Sequence, residues 1–420
     1  MVKRMMKDSG IEWIGIIPEN WDIDNIGSIY KERKEKCNDT DYAPLSVTMQ
    51  GIVPQLSTAA KTDAHDDRKL VRKGDFAINS RSDRRGSCGI SPQDGSVSLI
   101  NTVLIPKSEM NPGFYNWLFH SDMFSSEFYK WGHGIVDDLW TTNWQDMKAI
   151  SVPVPSREEQ ARIADFLDKK ASEIDAVISK TKESIEEYKK LKQSTITEAV
   201  TKGLDPNVET KDSGIEWIGD TPKHWTLGRI KNCFNVFSGA TPKSDNTAFW
   251  DGDIKWITPA DFKTEDIYVS TGNRNISEEG YNSCGTTIVP EGSVIFSKRA
   301  PIGTVAISLT DLCTNQGCLS CVPFDNTDSK FFYYFFSVFT EQFNLFGTGT
   351  TFKEISYDNF INFRILIPEK EEQKQIVKYL DTQCSKYNSL ISKKEQVISE
   401  LEQYKKSLIY EYVTGKKEVS

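Results

Sequence analysis

The stretch Ser80-Arg-Ser-Asp-Arg-Arg-Gly86 brings Arg81, Arg84 and Arg85 into one short, glycine-ended loop. A guanidinium presents planar N–H donors that bridge phosphates or fork onto guanine, so this loop is a candidate contact for nucleic acid. A matching stretch, Ser297-Lys-Arg-Ala-Pro-Ile-Gly303, supplies Lys298 and Arg299. Further candidates are Lys243 and Ser244 in Ser238-Gly-Ala-Thr-Pro-Lys-Ser, and Thr350 and Lys353 in Gly347-Thr-Gly-Thr-Thr-Phe-Lys. Any one of these residues also suits a solvated loop, with Asp83 or Glu354 as an ordinary ion-pair partner. Together the patches point to nucleic acid.

Other residue types with chemical potential lead nowhere specific. Asp251, Asp253 and Lys255 in Trp-Asp-Gly-Asp-Ile-Lys-Trp have the composition of a nuclease carboxylate pair with its lysine, and an Asp-Gly-Asp turn between strands explains them equally well. Cys313, Cys318 and Cys321 contain one C-x-x-C, but no second pair or histidine lies nearby to complete four zinc ligands. They read as buried strand cysteines, and no metal is expected. The histidines, His65, His120, His133 and His224, sit near no recognisable nucleophile. No G-x-G-x-x-G opens a helix, no Asn/Asp-Pro-Pro-Tyr/Phe run is present to hold an adenine amino group, and Gly415-Lys416 lacks the upstream glycine of a phosphate loop. A non-catalytic chain is the expectation.

With 51 basic and 60 acidic residues the formal charge is −9, which argues against a chain coated in basic surface. Nucleic-acid contact then has to come from local clusters, with acidic helices elsewhere dominating the sum. At 420 residues the chain exceeds one ordinary core. Its 38% hydrophobic and 26% charged residues exclude the disordered and membrane classes. No apolar run approaches the ~20 residues that span a bilayer. The basic start, Met1-Val-Lys-Arg, has no apolar segment behind it to act as a secretory signal, so a cytoplasmic protein with reduced thiols is expected.

The elements that must position the loops are announced by a repeat. Asp8-Ser-Gly-Ile-Glu-Trp-Ile-Gly15 recurs letter for letter as Asp212 to Gly219, followed by Pro18 and Trp21 in one copy and Pro222 and Trp225 in the other. A second matching pair closes each half: Pro155-Ser-Arg-Glu-Glu-Gln160 and Pro368-Glu-Lys-Glu-Glu-Gln373, continuing through Leu167-Asp168 and Leu380-Asp381 to Val200-Thr201 and Val413-Thr414. Between them, residues of roughly 22 to 150 and 226 to 362 share only a skeleton, such as the Gly-bounded apolar strand before a basic stretch at 74–85 and 292–299. The period is far longer than a solenoid unit, so the chain is a duplicated domain plus helix.

From about Arg157 to Lys202 apolar residues fall near every third or fourth position, which predicts one long helix with Ser156 and Glu159 as a capping box and Gly203 as its stop. A second copy ends at Gly415. Each would run roughly 65 Å, too narrow to bury its own stripe, so the two are expected to bury theirs against each other. The predicted packing residues are Ile163, Leu167, Ile174, Ile185 and Leu191 on the first, and Ile376, Leu380, Leu390, Ile398 and Leu401 on the second. Val177, Tyr188, Tyr387 and Tyr404 belong to the same stripes. Short β-branched runs at 76–79, 97–100, 293–296 and 304–307 predict strands, and 114–131 and 331–346 predict one aromatic helix in each half, its rings buried in the core.

The expected fold is therefore α+β: two mixed α/β domains, 1–155 and 204–367, and two long helices, 156–203 and 368–415, packed on each other as a coiled coil, with a short tail, 416–420. The whole carries an internal repeat.

Several segments in order resemble the specificity (S) subunits of type I restriction–modification systems. These are the Asp-Ser-Gly-Ile-Glu-Trp-Ile-Gly opening with its Pro-x-x-Trp, Gly239-Ala-Thr-Pro leading to Trp250-Asp-Gly-Asp-Ile, Phe296-Ser-Lys-Arg-Ala-Pro-Ile-Gly, Thr314-Asn-Gln-Gly, and Pro-x-x-x-Glu-Glu-Gln before each helix. The likeness covers nearly the whole chain, and the first variable domain departs most from the pattern. The resemblance implies two target-recognition domains that each read half of a split, asymmetric site in double-stranded DNA, joined by the two long helices as an antiparallel coiled-coil spacer with pseudo-two-fold symmetry. It implies two adenine-N6 methyltransferase subunits as partners, with restriction (motor) subunits joining for cleavage. S-adenosylmethionine, ATP and Mg would then reside on those partners only, with no cofactor on this chain and no membrane involved. A coiled-coil scaffold that binds only proteins would also explain the helices and the acidic total. It leaves two large diverged domains with basic glycine loops unexplained.

Overall fold

The computed structural model describes residues 4–57, 67–107, 110–134, 140–263, 266–299, 301–347 and 353–419. The chain divides into two compact units, Met1–Lys182 with Glu395–Ser420, and Glu183–Lys394. Each unit is α+β, and each long helix contributes one segment to it.

The repeated octapeptide is the turn of a small hairpin in both units. Met6–Asp8 pairs with Ile16–Pro18, and Thr210–Asp212 pairs with Asp220–Pro222. The aspartate side chain accepts the N–H two residues on, Gly10 at 3.0 Å and Gly214 at 2.8 Å, because a short carboxylate mimics a backbone turn. Behind each hairpin Trp21 and Trp225 are buried. The next strand then ties the start of the diverged stretch to its end: Asp22–Asn25 pairs with Ser151–Val154, and Thr226–Arg229 with Arg364–Ile367.

The diverged stretches share an antiparallel sheet and differ around it. In the first unit the order is Cys88–Ile90, Phe76–Asn79, Asn101–Pro106, Tyr30–Glu32. The second unit runs Val305–Ser308, Val294–Ser297, Cys318–Pro323, Phe234–Ser238, and adds Tyr268–Val269 in parallel on the edge. Beside it stands a three-stranded sheet, Arg274–Ile276, Trp250–Ile257, Cys313–Thr314. The first unit instead places Gly95–Val97, Arg68–Val71 and Lys36–Cys37 together, and adds the hairpin Leu45–Thr48 and Gly51–Pro54. Both basic loops leave the C-terminal end of the equivalent strand, Phe76–Asn79 or Val294–Ser297.

The long helices are Arg157–Lys202 and Lys370–Val413. Their segments run antiparallel within each unit. In the first, Phe166 stacks near Tyr412 at 4.4 Å and Lys405 Nζ meets Asp175 at 2.7 Å. In the second, Thr195 Oγ1 lies 3.3 Å from Tyr387 OH and Lys394 stands over the Tyr188 ring. Both helices stop at glycines in left-handed conformation, Gly203 at φ +73° and Gly415 at φ +71°. A Cβ on Gly415 would fall 2.5 Å from Pro18 and 3.0 Å from Trp21, so the second helix ends directly on the first hairpin's Pro-x-x-Trp. Gly203 faces the matching residues more loosely, a Cβ there lying 3.4 Å from Trp225 and 3.7 Å from Pro222.

Several expectations need correction. Leu191 and Leu390 are 51% and 40% exposed, and Val177 and Tyr404 are exposed as well. An apolar pattern at every third or fourth residue keeps only approximately to one face of a helix with 3.6 residues per turn, and a single partner helix covers only a narrow seam of it. Ile163, Leu167 and Ile174 are buried as expected, but in one core with Trp21 and Phe114 as well as Leu408 and Ile409. Ile376 and Leu380 likewise join Ile196, Trp225 and the aromatic core of the second unit. Ile185 is buried, and Ile398 and Leu401 pack half-buried against the first core. Each predicted aromatic helix is two, Pro112–Phe119 with Asp122–Lys130, and Ser329–Val338 with Thr340–Leu345, because Ser121 caps the second member of the first pair. Their rings are core, as expected. The strand predicted at 97–100 ends at Val97, and Asn101 N–H closes a turn onto Ser98 O. The capping box is half formed: Ser156 Oγ accepts Glu159 N–H at 3.3 Å, while the Glu159 carboxylate turns to Trp21 Nε1–H at 2.9 Å and Arg4 at 2.6 Å.

Candidate nucleic-acid interface

The arginine loop of the first unit is a braced turn. Asn79 Oδ1 accepts Arg81 N–H at 3.1 Å, and a 3-10 turn covers Ser82–Arg84. Tyr129 OH donates to Asn79 O at 3.0 Å and stands 3.3 Å from Arg84 O, while the Arg85 guanidinium lies over the Tyr129 ring. Arg81 Nε sits 3.0 Å from Asp83 and Arg84 Nε 3.7 Å from it. One carboxylate therefore serves two of three arginines, and Arg84 and Arg85 remain exposed.

That turn forms one wall of a cleft of about 720 Å³ whose other wall is the hairpin at 45–54. Arg68, Asn79 and Asn101 line it too. Sequence reasoning missed Arg68, a strand residue with no loop signal around it. It is 6% exposed, and its guanidinium donates to Ser96 Oγ at 2.8 Å and Ser96 O at 3.0 Å.

In the second unit the candidate segments adjoin. A Cβ on Gly239 would lie 2.1 Å from Asn315 O, Lys298 N–H bonds Gly317 O at 2.9 Å, and Ile355 N–H bonds Lys298 O at 3.0 Å. Residues 239–240, 298–299, 315–317 and 353–355 thus form one rim. Within it Glu354 takes Lys298 Nζ at 2.9 Å and Arg299 Nε at 2.8 Å. Burial opposes ionisation of Glu354, yet the hydrogen bonds from both cations outweigh it and hold its carboxyl below the usual value. Lys298 is thereby drawn in to 13% exposure, while Arg299 keeps 45%. Lys243, Ser244 and Lys353 are exposed, and Thr350 lies outside the described residues. Arg274, which the sequence did not single out, stacks 4.1 Å over Trp250 and is half exposed. Trp250 also donates to Lys243 O at 3.2 Å, so it supports both cations.

The carboxylates at 251 and 253 are not a turn between strands. They form a bulge within Trp250–Ile257, with Asp251 at φ +62° and 78% exposed. Cys318 and Cys321 are buried in one strand on opposite faces, in separate clusters, so they cannot share a ligand. Burial pushes the Cys313 thiol up to about 12 and the Cys233 thiol to about 11, which keeps both protonated.

The closing motif is explained by geometry common to both units. Gln160 and Gln373 are buried, and each accepts the N–H of the residue that caps the first aromatic helix, Asn111 or Asp328. Their amide groups donate to Pro155 O and Pro368 O. About two turns on, Asp168 accepts Trp117 Nε1–H at 2.7 Å, and Asp381 accepts Tyr334 OH at 2.7 Å. Two like frames thus hold two unlike arrays of loops. This is the build of a paired recognition protein.

The family model for the type I restriction modification DNA specificity domain matches twice, over residues 18–187 and 222–402, and the chain belongs to that family. The MjaIX specificity subunit of Methanocaldococcus jannaschii is 38% identical over 182 residues, 43% of this chain, and the match spans 41% of the length of that relative. The MjaVIII specificity subunit of the same organism is 23% identical over 95% of this chain and 93% of its own. A solved chain from a study of complex assembly and conformational transition in the type I R-M system shares the fold, with TM-score 0.76 at 17% identity over 96% of this chain and 99% of that one. Among the described residues no helix is long and apolar enough to cross a membrane.

Proposed function

We propose that this chain is the cytoplasmic subunit that gives a type I restriction–modification complex its DNA sequence. It reads one half of a bipartite, asymmetric site with each unit, and docks two adenine-N6 methyltransferase subunits, with restriction subunits joining them. The chain contributes no catalytic group and no cofactor; S-adenosylmethionine, ATP and Mg are carried by the partners. The observation that favours this reading is the contrast between the glutamine-clamped frames, alike down to their hydrogen bonds, and the basic loops they hold, which differ. Identical frames suit identical partners, and unlike loops suit unlike half-sites.

The test is methylome mapping of a strain expressing the chain with its methyltransferase partner, together with DNA binding by the purified complex across a salt series. Two half-sites separated by unread bases, and affinity falling steeply with salt, are expected. A complex that binds partners but shows neither would leave a protein-only scaffold.

A further inference from the structure

We propose that the first unit reads its half-site through the cleft between the 45–54 hairpin and the arginine turn, with Arg68, Arg84 and Arg85 holding backbone phosphate and Gln50 reading a base edge. The assignment rests on the DNA-reading function proposed above and deepens it.

The charge around the cleft calls for an anion. Three guanidinium groups line it against one carboxylate, Asp83, which is shared between Arg81 at 3.0 Å and Arg84 at 3.7 Å. Arg68 is the informative member. Its described partners are the hydroxyl and carbonyl oxygens of Ser96, both neutral, in a position that is 6% exposed. With no counter-charge among the described residues, a cation withdrawn from water costs free energy, and a phosphate oxygen brought to the cleft relieves it.

The walls are also preorganised. The Tyr129 hydroxyl and ring brace the arginine turn. A Cβ on Gly89 would lie 2.8 Å from Gly51 Cα, so the hairpin backbone rests directly on the strand Cys88–Ile90 and cannot retreat. At the hairpin tip Thr48 Oγ1 donates to Gly51 O at 2.9 Å and accepts Gln50 N–H at 3.1 Å, which fixes the turn. Gln50 is exposed there, and its side-chain amide bonds no other described residue. A free glutamine amide offers the donor and acceptor that match adenine N7 and N6, which phosphate contacts cannot supply. A phosphate-binding floor with an uncommitted amide on its rim fits duplex DNA, whose backbone and base edges lie side by side.

The complex with its methyltransferase partner is the material for the test, with Arg84→Ala and Gln50→Ala as separate variants. Arg84→Ala should weaken binding to specific and non-specific duplexes alike, and flatten the slope of log affinity against log salt by about 0.9. Gln50→Ala should leave non-specific affinity and salt slope unchanged. It should lower discrimination at one base pair of one half-site about five- to 150-fold, the equivalent of 1–3 kcal/mol, with a matching relaxation in the methylome. An unchanged slope in the first variant with an unchanged motif in the second would overturn the assignment, as would relaxation spread over both half-sites. A wild-type complex with no sequence preference at all would instead remove the DNA-reading function and this assignment with it.

Discussion

Gln160 Oε1 accepts the backbone N–H of Asn111 at 2.7 Å, and Asn111 in turn caps the helix Pro112–Phe119 through its own side chain. The long helix is therefore bonded to the start of the aromatic helix through one amide that is 2% exposed. Gln160→Ala should remove this partner from the half-buried Asn111 N–H and the buried Pro155 O, at up to about 1–3 kcal/mol for each group. Hydrogen exchange in Pro112–Phe119 should accelerate while the second unit keeps its protection. Gln373→Ala should do the converse for Ser329–Val338. Unchanged exchange in either variant would show the clamp to be redundant.

Glu354 sets a pH dependence. Its carboxyl lies below its ordinary value despite burial, because Lys298 and Arg299 bond it. A depressed acid stabilises the folded rim above its unfolded pKa, and that contribution is lost as pH falls through the lower folded value. Protection of 298–299 and 353–355 against exchange or proteolysis should therefore hold at neutral pH and fade below about pH 4.3, the unperturbed Glu value. Glu354→Gln should abolish that acid step. At neutral pH the same variant should release Lys298 and tighten DNA binding at low salt; unchanged affinity would mark the trio as a structural brace.

The helix Arg157–Lys202 offers a ruler for the proposed function. Four residues inserted after Thr181 add roughly one turn, about 6 Å, and overshoot it by about 40°. At about 3.4 Å per base pair the unread gap should lengthen by one or two base pairs. The half-site bases should stay as they were, since neither loop array is altered. Methylome mapping of the insertion variant decides this: an unchanged gap would show that the helices do not set it.

The purified chain alone should neither transfer methyl groups nor bind S-adenosylmethionine, since its sequence carries none of the loops that hold that cofactor. Calorimetry and a methyl-transfer assay check both points. Transfer by the chain without partners would contradict the division of labour proposed here.

Local chemistry by itself determined much of this molecule. The first helix was legible to its ends, Arg157 and Lys202, because a long apolar period and a stop glycine are local signals. The octapeptide marked the duplication, though not the hairpin it forms in each unit, and the basic stretches after Gly74 and Gly292 marked the loops that leave equivalent strands. What only the tertiary structure decided depends on which distant segments meet. Leu191 and Leu390 have the right period and still face solvent, because the path of a neighbouring element, not the pattern of one helix, selects the buried seam. Glu159 fits a capping box, yet it serves Trp21, 138 residues away. Arg68 looks like any strand residue until pairing with Gly95–Val97 withdraws it from water and the hairpin at 45–54 closes a cleft over it. Periodicity reports what a residue can do within its own element. Non-local pairing decides whether it faces a core, a carboxylate or an open cleft, and no local spacing encodes that choice.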